Sequence, residues 1–147
     1  MLHVLVIHGP NLNLLGRREP EIYGNESLRE VNRRLREKAQ ELGCRLTFFQ
    51  SNCEGEIIDF LHDHRLEADG VIINPGGLTH TSVALRDALA AIGLPTVEVH
   101  ISDISQREEF RRTSLIRDIC IASICGKGIE GYLLALTELV QQLATKG

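Results

Sequence analysis

The sequence predicts an α/β fold, a doubly wound sheet of five parallel strands with helices on both faces, and three observations predict it. Short apolar runs alternate with longer amphipathic ones about five times along the 147 residues. The short runs are apolar throughout, as strands covered on both faces require. The segments between them carry helical periodicity and are long enough to cross back over a sheet.

The elements follow in order. Leu2 to Ile7 reads as a buried first strand. Ser27 to Leu42 reads as a helix, with Ser27 as N-cap, Glu30 as its capping-box partner and Gly43 as the stop. Arg45 to Gln50 is the second strand, and Glu54 to His64 a helix with Ile57, Ile58 and Leu61 on one face. Gly70 to Asn74 is the third strand, His80 to Ile92 a helix ending at Gly93, and Thr96 to Val99 the fourth strand. A short helix over Arg107 to Arg112, a fifth strand over Ile119 to Ile124 and a closing helix over Ile129 to Ala144 complete the chain. The predicted strand order is 2-1-3-4-5, the flavodoxin-like arrangement, in one domain spanning residues 1–147.

Composition narrows the function. Apolar residues make up 43% and charged residues 24%, ordinary for a packed globular chain. The net charge of −4 is mixed along the sequence, with no basic stripe, which excludes nucleic acid as the expected partner. No apolar stretch approaches the ~20 residues of a membrane span, and the Leu2–Ile7 run is too short for a signal peptide core. Cys44, Cys53, Cys120 and Cys125 form no C-x-x-C pair and read as reduced thiols of a cytoplasmic protein, without the spacing of a zinc site.

In such folds ligands bind beyond the carboxyl ends of the strands, at the point where strand order reverses. Three loops therefore matter. The first, His8 to Gly24, runs for 17 residues where about 2–6 is usual. It places Arg17 and Arg18 near Tyr23. A phenol titrates near 10, and guanidinium groups beside it favour the phenolate, a base able to take a proton from carbon. The same residues also read as a surface tyrosine with solvated arginines. The second loop, Asn74-Pro-Gly-Gly-Leu-Thr-His80, lets backbone approach a ligand closely and leads into a helix carrying Arg86 and Asp87. The third, Glu98 to Asp103, puts His100 just past a buried strand, where a near-neutral pKa suits acid–base work. A histidine satisfied by nearby backbone is the alternative. Arg107 and Arg111 are four apart and are expected on one helix face. Together these features point to a polyhydroxylated carboxylate ligand with no metal, nucleotide or covalent nucleophile.

The motifs Gly9-Pro-Asn-Leu-Asn-Leu-Leu-Gly16, Arg18-Glu-Pro-x-x-Tyr-Gly24, Asn74-Pro-Gly, Thr79-His-Thr-Ser-Val-Ala-Leu-Arg-Asp-Ala88, Val97-Glu-Val-His-x-Ser102 and Arg107-Glu-Glu-Phe-Arg111 resemble type II 3-dehydroquinate dehydratases over almost the whole chain. The resemblance implies anti elimination of water from 3-dehydroquinate through an enolate, in the shikimate pathway, with no cofactor and no Schiff base. It implies trimers assembled into a dodecamer. It also implies Tyr23 as base, Arg18 as the lid arginine lowering its pKa with Arg107 assisting, and His100 as acid. Asn11 then holds the water that steadies the enolate oxygen. Asn74 and the amides of Ile101 and Ser102 bind the carboxylate end, and His80, Arg111 and a neighbouring subunit's Asp87 the hydroxyls. His8 stands where an asparagine is common, and Thr113 to Asp118 departs from the usual His-Ser-Tyr-Ile-Ser-Pro. The rival readings are a flavin- or nucleotide-binding flavodoxin-like protein, a receiver-type signalling module, and a small-ligand-binding protein without catalysis.

Overall fold

In a computed structural model, which describes residues 1–17, 20–23 and 26–146 (for Pro20, Tyr23 and Lys146 the backbone alone), the apolar runs form one parallel sheet in the order β2-β1-β3-β4-β5. The strands are β1 (Leu2–His8), β2 (Cys44–Gln50), β3 (Gly70–Asn74), β4 (Thr96–His100) and β5 (Ala122–Cys125). The helices are α1 (Pro20–Tyr23), α2 (Leu28–Leu42), α3 (Glu54–His64), α4 (Val83–Ile92) and α5 (Glu130–Lys146). The predicted order is thus the observed one.

Side chains alternate across a strand, and that alternation divides the core in two. Val4 and Val6 of β1, Ile72 of β3 and Val97 and Val99 of β4 pack with α2 and α5. Leu5, Ile7, Val71 and Ile73 face the opposite layer of α3 and α4. The same period carries the polar strand ends to defined sides. His8, two residues beyond Val6, meets Asn32 of α2 and Tyr132 of α5. Glu98 and His100 lie on the other face, under the segment that carries Ser114.

Local chemistry sets the element ends. Ser27 Oγ accepts the Glu30 N–H at 3.3 Å, and Gly43 closes α2 in the left-handed region at φ 71°. Glu30 turns its carboxylate to Arg33 rather than back to Ser27, so half of the predicted capping box forms. Residues 76–80 form a 3-10 turn, and α4 starts later than expected because Ser82 caps it, accepting from Leu85 N at 2.9 Å. The long first loop holds a 3-10 turn at Leu12–Leu14 and the short α1. β5 begins at Ala122, since Arg117–Ile119 is taken by another 3-10 turn.

The helix predicted over Arg107 to Arg112 does not form. Two 3-10 turns, Ile104–Gln106 and Glu109–Arg111, flank an extended Arg107 at φ −95° and ψ −173°. A run this short gains little from helix propagation, and the segment after it is tied to the 3-10 turn that follows β3, where Leu115 N–H donates to Thr79 O at 2.9 Å.

The buried His8 makes the fold sensitive to acid. Burial outweighs its hydrogen bond to Asn32 and lowers its pKa from 6.5 to about 4. The unfolded chain takes up this proton near pH 6.5 and the native chain does not, so stability falls as pH drops from about 6.5 toward 4. The expected loss is about 2 kcal/mol between pH 7 and pH 5. Urea unfolding of the parent and of His8→Asn at both pH values measures it. Equal losses in the two proteins would refute the assignment.

Candidate active site

The carboxyl ends of β1, β3 and β4 converge where the strand order reverses, with His8 opposite Asn74 in the β1–β3 register. The loops leaving β1 and β3 press together there. A Cβ at Gly9 would lie 2.3 Å from Pro75 O, and one at Gly76, whose φ is +59°, would lie 2.8 Å from Pro10 O. Only glycine permits both the conformation and the approach. Asn11 sits in the left-handed region at φ 72°, alone among the described non-glycine residues, with its N–H held by Asn52 Oδ1 at 2.9 Å.

A narrow pocket of about 40 Å³ lies at these strand ends, walled by Asn74, His80, His100, Ile101, Ser102, Arg107 and Arg111. The fold thus brings together seven of the eleven expected site residues. Asn11 and Asp87 are exposed and lie outside its wall, Asn11 beside the wall residue Leu12 and Asp87 on α4. Arg18 lies outside the described residues, as does the side chain of Tyr23, whose backbone ends α1. A larger hollow of about 470 Å³ adjoins the pocket and shares Ile101, Ser102 and Arg107 with it. The narrow pocket has room for about one water, whereas the hollow has the volume of an ordinary ligand site. A ring-sized ligand that gripped the polar wall would have to extend across the shared residues.

His100 is buried, and its Nε2 lies 2.7 Å from Glu98 Oε2. Glu98 is fully buried and has three further neighbours. Ser114 Oγ donates to Oε2 at 2.5 Å, Ser123 Oγ donates to Oε1 at 2.9 Å, and Arg117 Nε is 3.5 Å away. Burial pushes the Glu98 pKa upward, but the hydrogen bond and charge of His100, with both serine hydroxyls, outweigh it and hold the carboxyl at about 2. An ionised carboxylate only accepts, so Nε2 of His100 carries hydrogen and Nδ1 is the nitrogen not committed to Glu98. Glu98 is the site residue that sequence reasoning missed. Its signal was a carboxylate two residues before His100 in an otherwise apolar strand, hence on the same face.

His80 Nδ1–H donates to Thr113 O at 2.7 Å, which leaves Nε2 as an acceptor, and partial burial lowers the His80 pKa. Arg107 donates to Ser102 Oγ at 3.2 Å, and Arg111 is steered by Glu108 and lies over the Phe110 ring. The two arginines reach one pocket from separate turns rather than from one helix face. Among the described residues no cluster of three or more His, Cys, Asp or Glu is placed to hold a metal ion. Nor, among them, is any helix long and apolar enough to cross a membrane. The four cysteines are free thiols.

Comparison with known proteins gives a consistent picture. The family described as Dehydroquinase class II matches residues 2–140. A curated 3-dehydroquinate dehydratase from Halothermothrix orenii is 59% identical over 140 residues, covering 95% of each chain. One from Pelotomaculum thermopropionicum is 55% identical over 135 residues, covering 92% of this chain and 94% of its own. The crystal structure of a type II dehydroquinase from Butyrivibrio crossotus superposes with a TM-score of 0.92 at 43% identity, covering 94% of this chain and 97% of its own.

Proposed function

Since the chain belongs to the class II dehydroquinase family, we propose how its residues carry out the family's reaction, the removal of water from 3-dehydroquinate to give 3-dehydroshikimate. The activity is that of a hydro-lyase, a type II 3-dehydroquinate dehydratase. The observation that carries the mechanism is the buried Glu98–His100 pair opening on a pocket that also holds Asn74, His80 and Arg111.

The C3 ketone acidifies the C2 proton, so a base can remove it and leave an enolate. Tyr23 is that base in this reading, with its phenolate favoured by Arg18 and assisted by Arg107. Asn11, through a water, steadies the enolate oxygen where charge develops. His100 then protonates the departing C1 hydroxyl, and the enolate electrons form the C1–C2 double bond. Glu98 supplies the negative partner that keeps His100 oriented. The carboxylate end rests on Asn74 and the Ile101 and Ser102 amides, and the ring hydroxyls on His80 and Arg111. Closure of the first loop excludes water.

The same reading makes residues 1–147 one catalytic domain of a cytoplasmic enzyme, assembled as trimers into a dodecamer. Asp87, exposed on α4, is free to serve a neighbouring subunit in such an assembly. No cofactor enters the scheme and no lysine forms an imine. Lys38 lies on α2 3.5 Å from Glu41, Lys127 is exposed after β5, and neither lines the pocket.

Adding 3-dehydroquinate to the purified protein in EDTA is expected to produce the conjugated-enone absorbance of the product. Borohydride added with substrate is expected to leave turnover intact. Absence of the enone signal would overturn the function, and inactivation with a substrate adduct would overturn the enolate route.

A further inference from the structure

A chain of polar groups, buried except for the half-buried Asn32, runs behind the pocket, from α2 through β1 and α5 to the tip of β3. Asn32 Oδ1 lies 2.8 Å from His8 Nε2, His8 Nδ1 lies 3.5 Å from Tyr132 Oη, and Asn74 Nδ2 donates to Tyr132 Oη at 3.0 Å. The amide's other end, Asn74 Oδ1, accepts Gly76 N–H at 3.1 Å. His8 and Tyr132 are fully buried, and Asn74 is 4% exposed.

Each link has one permitted polarity. Gly76 N–H only donates, so Oδ1 of Asn74 faces it and Nδ2 faces Tyr132. The tyrosine oxygen therefore accepts from Asn74 and sends its own hydrogen to His8 Nδ1. That nitrogen must be unprotonated, so the His8 hydrogen sits on Nε2, where Asn32 Oδ1 takes it. A flipped amide would set Nδ2 against Gly76 N–H, leaving buried donors unpaired.

We propose that His8, Tyr132 and Asn32 are positioning residues that, opposite the Gly76 N–H on the other end, hold the Asn74 amide in the plane in which it meets the substrate. This rests on the reading that Asn74 binds 3-dehydroquinate. The three residues touch Asn74 directly or in relay and do not line the pocket. The role extends to His8, whose ring lies parallel to Phe48 with an interplanar angle of 4°.

Steady-state kinetics with 3-dehydroquinate on a double-mutant cycle test it. Asn74→Ala is expected to raise KM about tenfold through lost binding. Tyr132→Phe keeps the ring and deletes the hydroxyl, and is expected to raise KM by a similar factor with kcat within about twofold. In the Asn74→Ala background the tyrosine change is expected to alter KM by less than about twofold, because its effect passes through the amide. His8→Phe preserves the stacked ring and removes the acceptor, and is expected to raise KM likewise. Nitrogen NMR of the Asn74 side-chain amide gives a readout independent of turnover: its slowly exchanging signal is expected to broaden or disappear in Tyr132→Phe. An unchanged KM and unchanged amide signal in Tyr132→Phe would overturn the proposal, as would additive effects in the double variant. An unchanged KM in Asn74→Ala would instead overturn the assignment of Asn74 to substrate binding.

Discussion

Tyr23→Phe is expected to fold and bind substrate as the parent does while kcat falls by roughly 10²–10⁴-fold, the usual weight of one general acid–base group. The substitution removes one oxygen at the end of α1. A free phenol is almost wholly protonated at pH 7, and lowering its pKa by about two units requires roughly 2.7 kcal/mol of differential stabilisation. One close guanidinium can supply that in a closed site, which is the role proposed for Arg18. Arg18→Ala should therefore slow the same step that Tyr23→Phe abolishes. Isotope exchange identifies the step. In deuterated buffer Tyr23→Phe is expected not to exchange the C2 proton. Near-normal turnover in that variant, or C2 exchange at the parent's rate, would mean that the base lies elsewhere.

Glu98→Gln is the second large effect expected. The replacement keeps the side-chain volume and leaves one oxygen, on either the Ser123 side or the side that Ser114 and His100 share, and it removes the carboxylate that His100 Nε2 meets at 2.7 Å. When His100 carries the proton that it must deliver, its charge then stands unpaired in a buried position, which is costly. We expect kcat to fall on the order of 10²-fold or more, while C2 exchange persists because Tyr23 is untouched. His100→Ala should give the same pattern. A Glu98→Gln enzyme with kcat within about twofold of the parent, or one that loses C2 exchange along with turnover, would remove Glu98 from the elimination step. The carboxylate also contributes stability above its ordinary pKa of 4.5, which is lost as pH falls toward about 2.

The sheet was legible in the sequence because strands such as Val4–Ile7 and Val71–Ile73 are apolar on both faces and their spacing leaves room for crossover helices. The order of the strands followed from that pattern and from the resemblance. Element ends were less legible where capping residues compete. Thr79, His80 and Ser82 all offer helix starts, and the α4 cap is Ser82. Between Arg107 and Ile121 no periodicity warns that contacts to Thr79 and Glu98 hold the chain in short turns. The candidate site was legible where strand ends bring side chains to the pocket, as with Asn74 and His100. Glu98 was harder to find, because a charge inside a strand declares its role only when its neighbours Ser114 and Ser123 are seen across the fold. The relay behind Asn74 was not legible at all, since His8, Asn32 and Tyr132 share no motif.

The relay behind Asn74 also orders events in time. Its members come from distant parts of the chain: His8 and Tyr132 are 124 residues apart, and Asn74 and Tyr132 are 58 apart. Contacts of such separation incur loop-closure entropy before they return any energy, and they slow folding relative to local ones. During synthesis all five strands leave the ribosome ahead of Tyr132, which lies in the last helix. A nascent chain can therefore assemble its sheet while the Asn74 amide still lacks its hydroxyl partner. The hold on the Asn74 amide is consequently acquired late, when α5 docks and brings Tyr132 into the core together with Leu136 and Leu139.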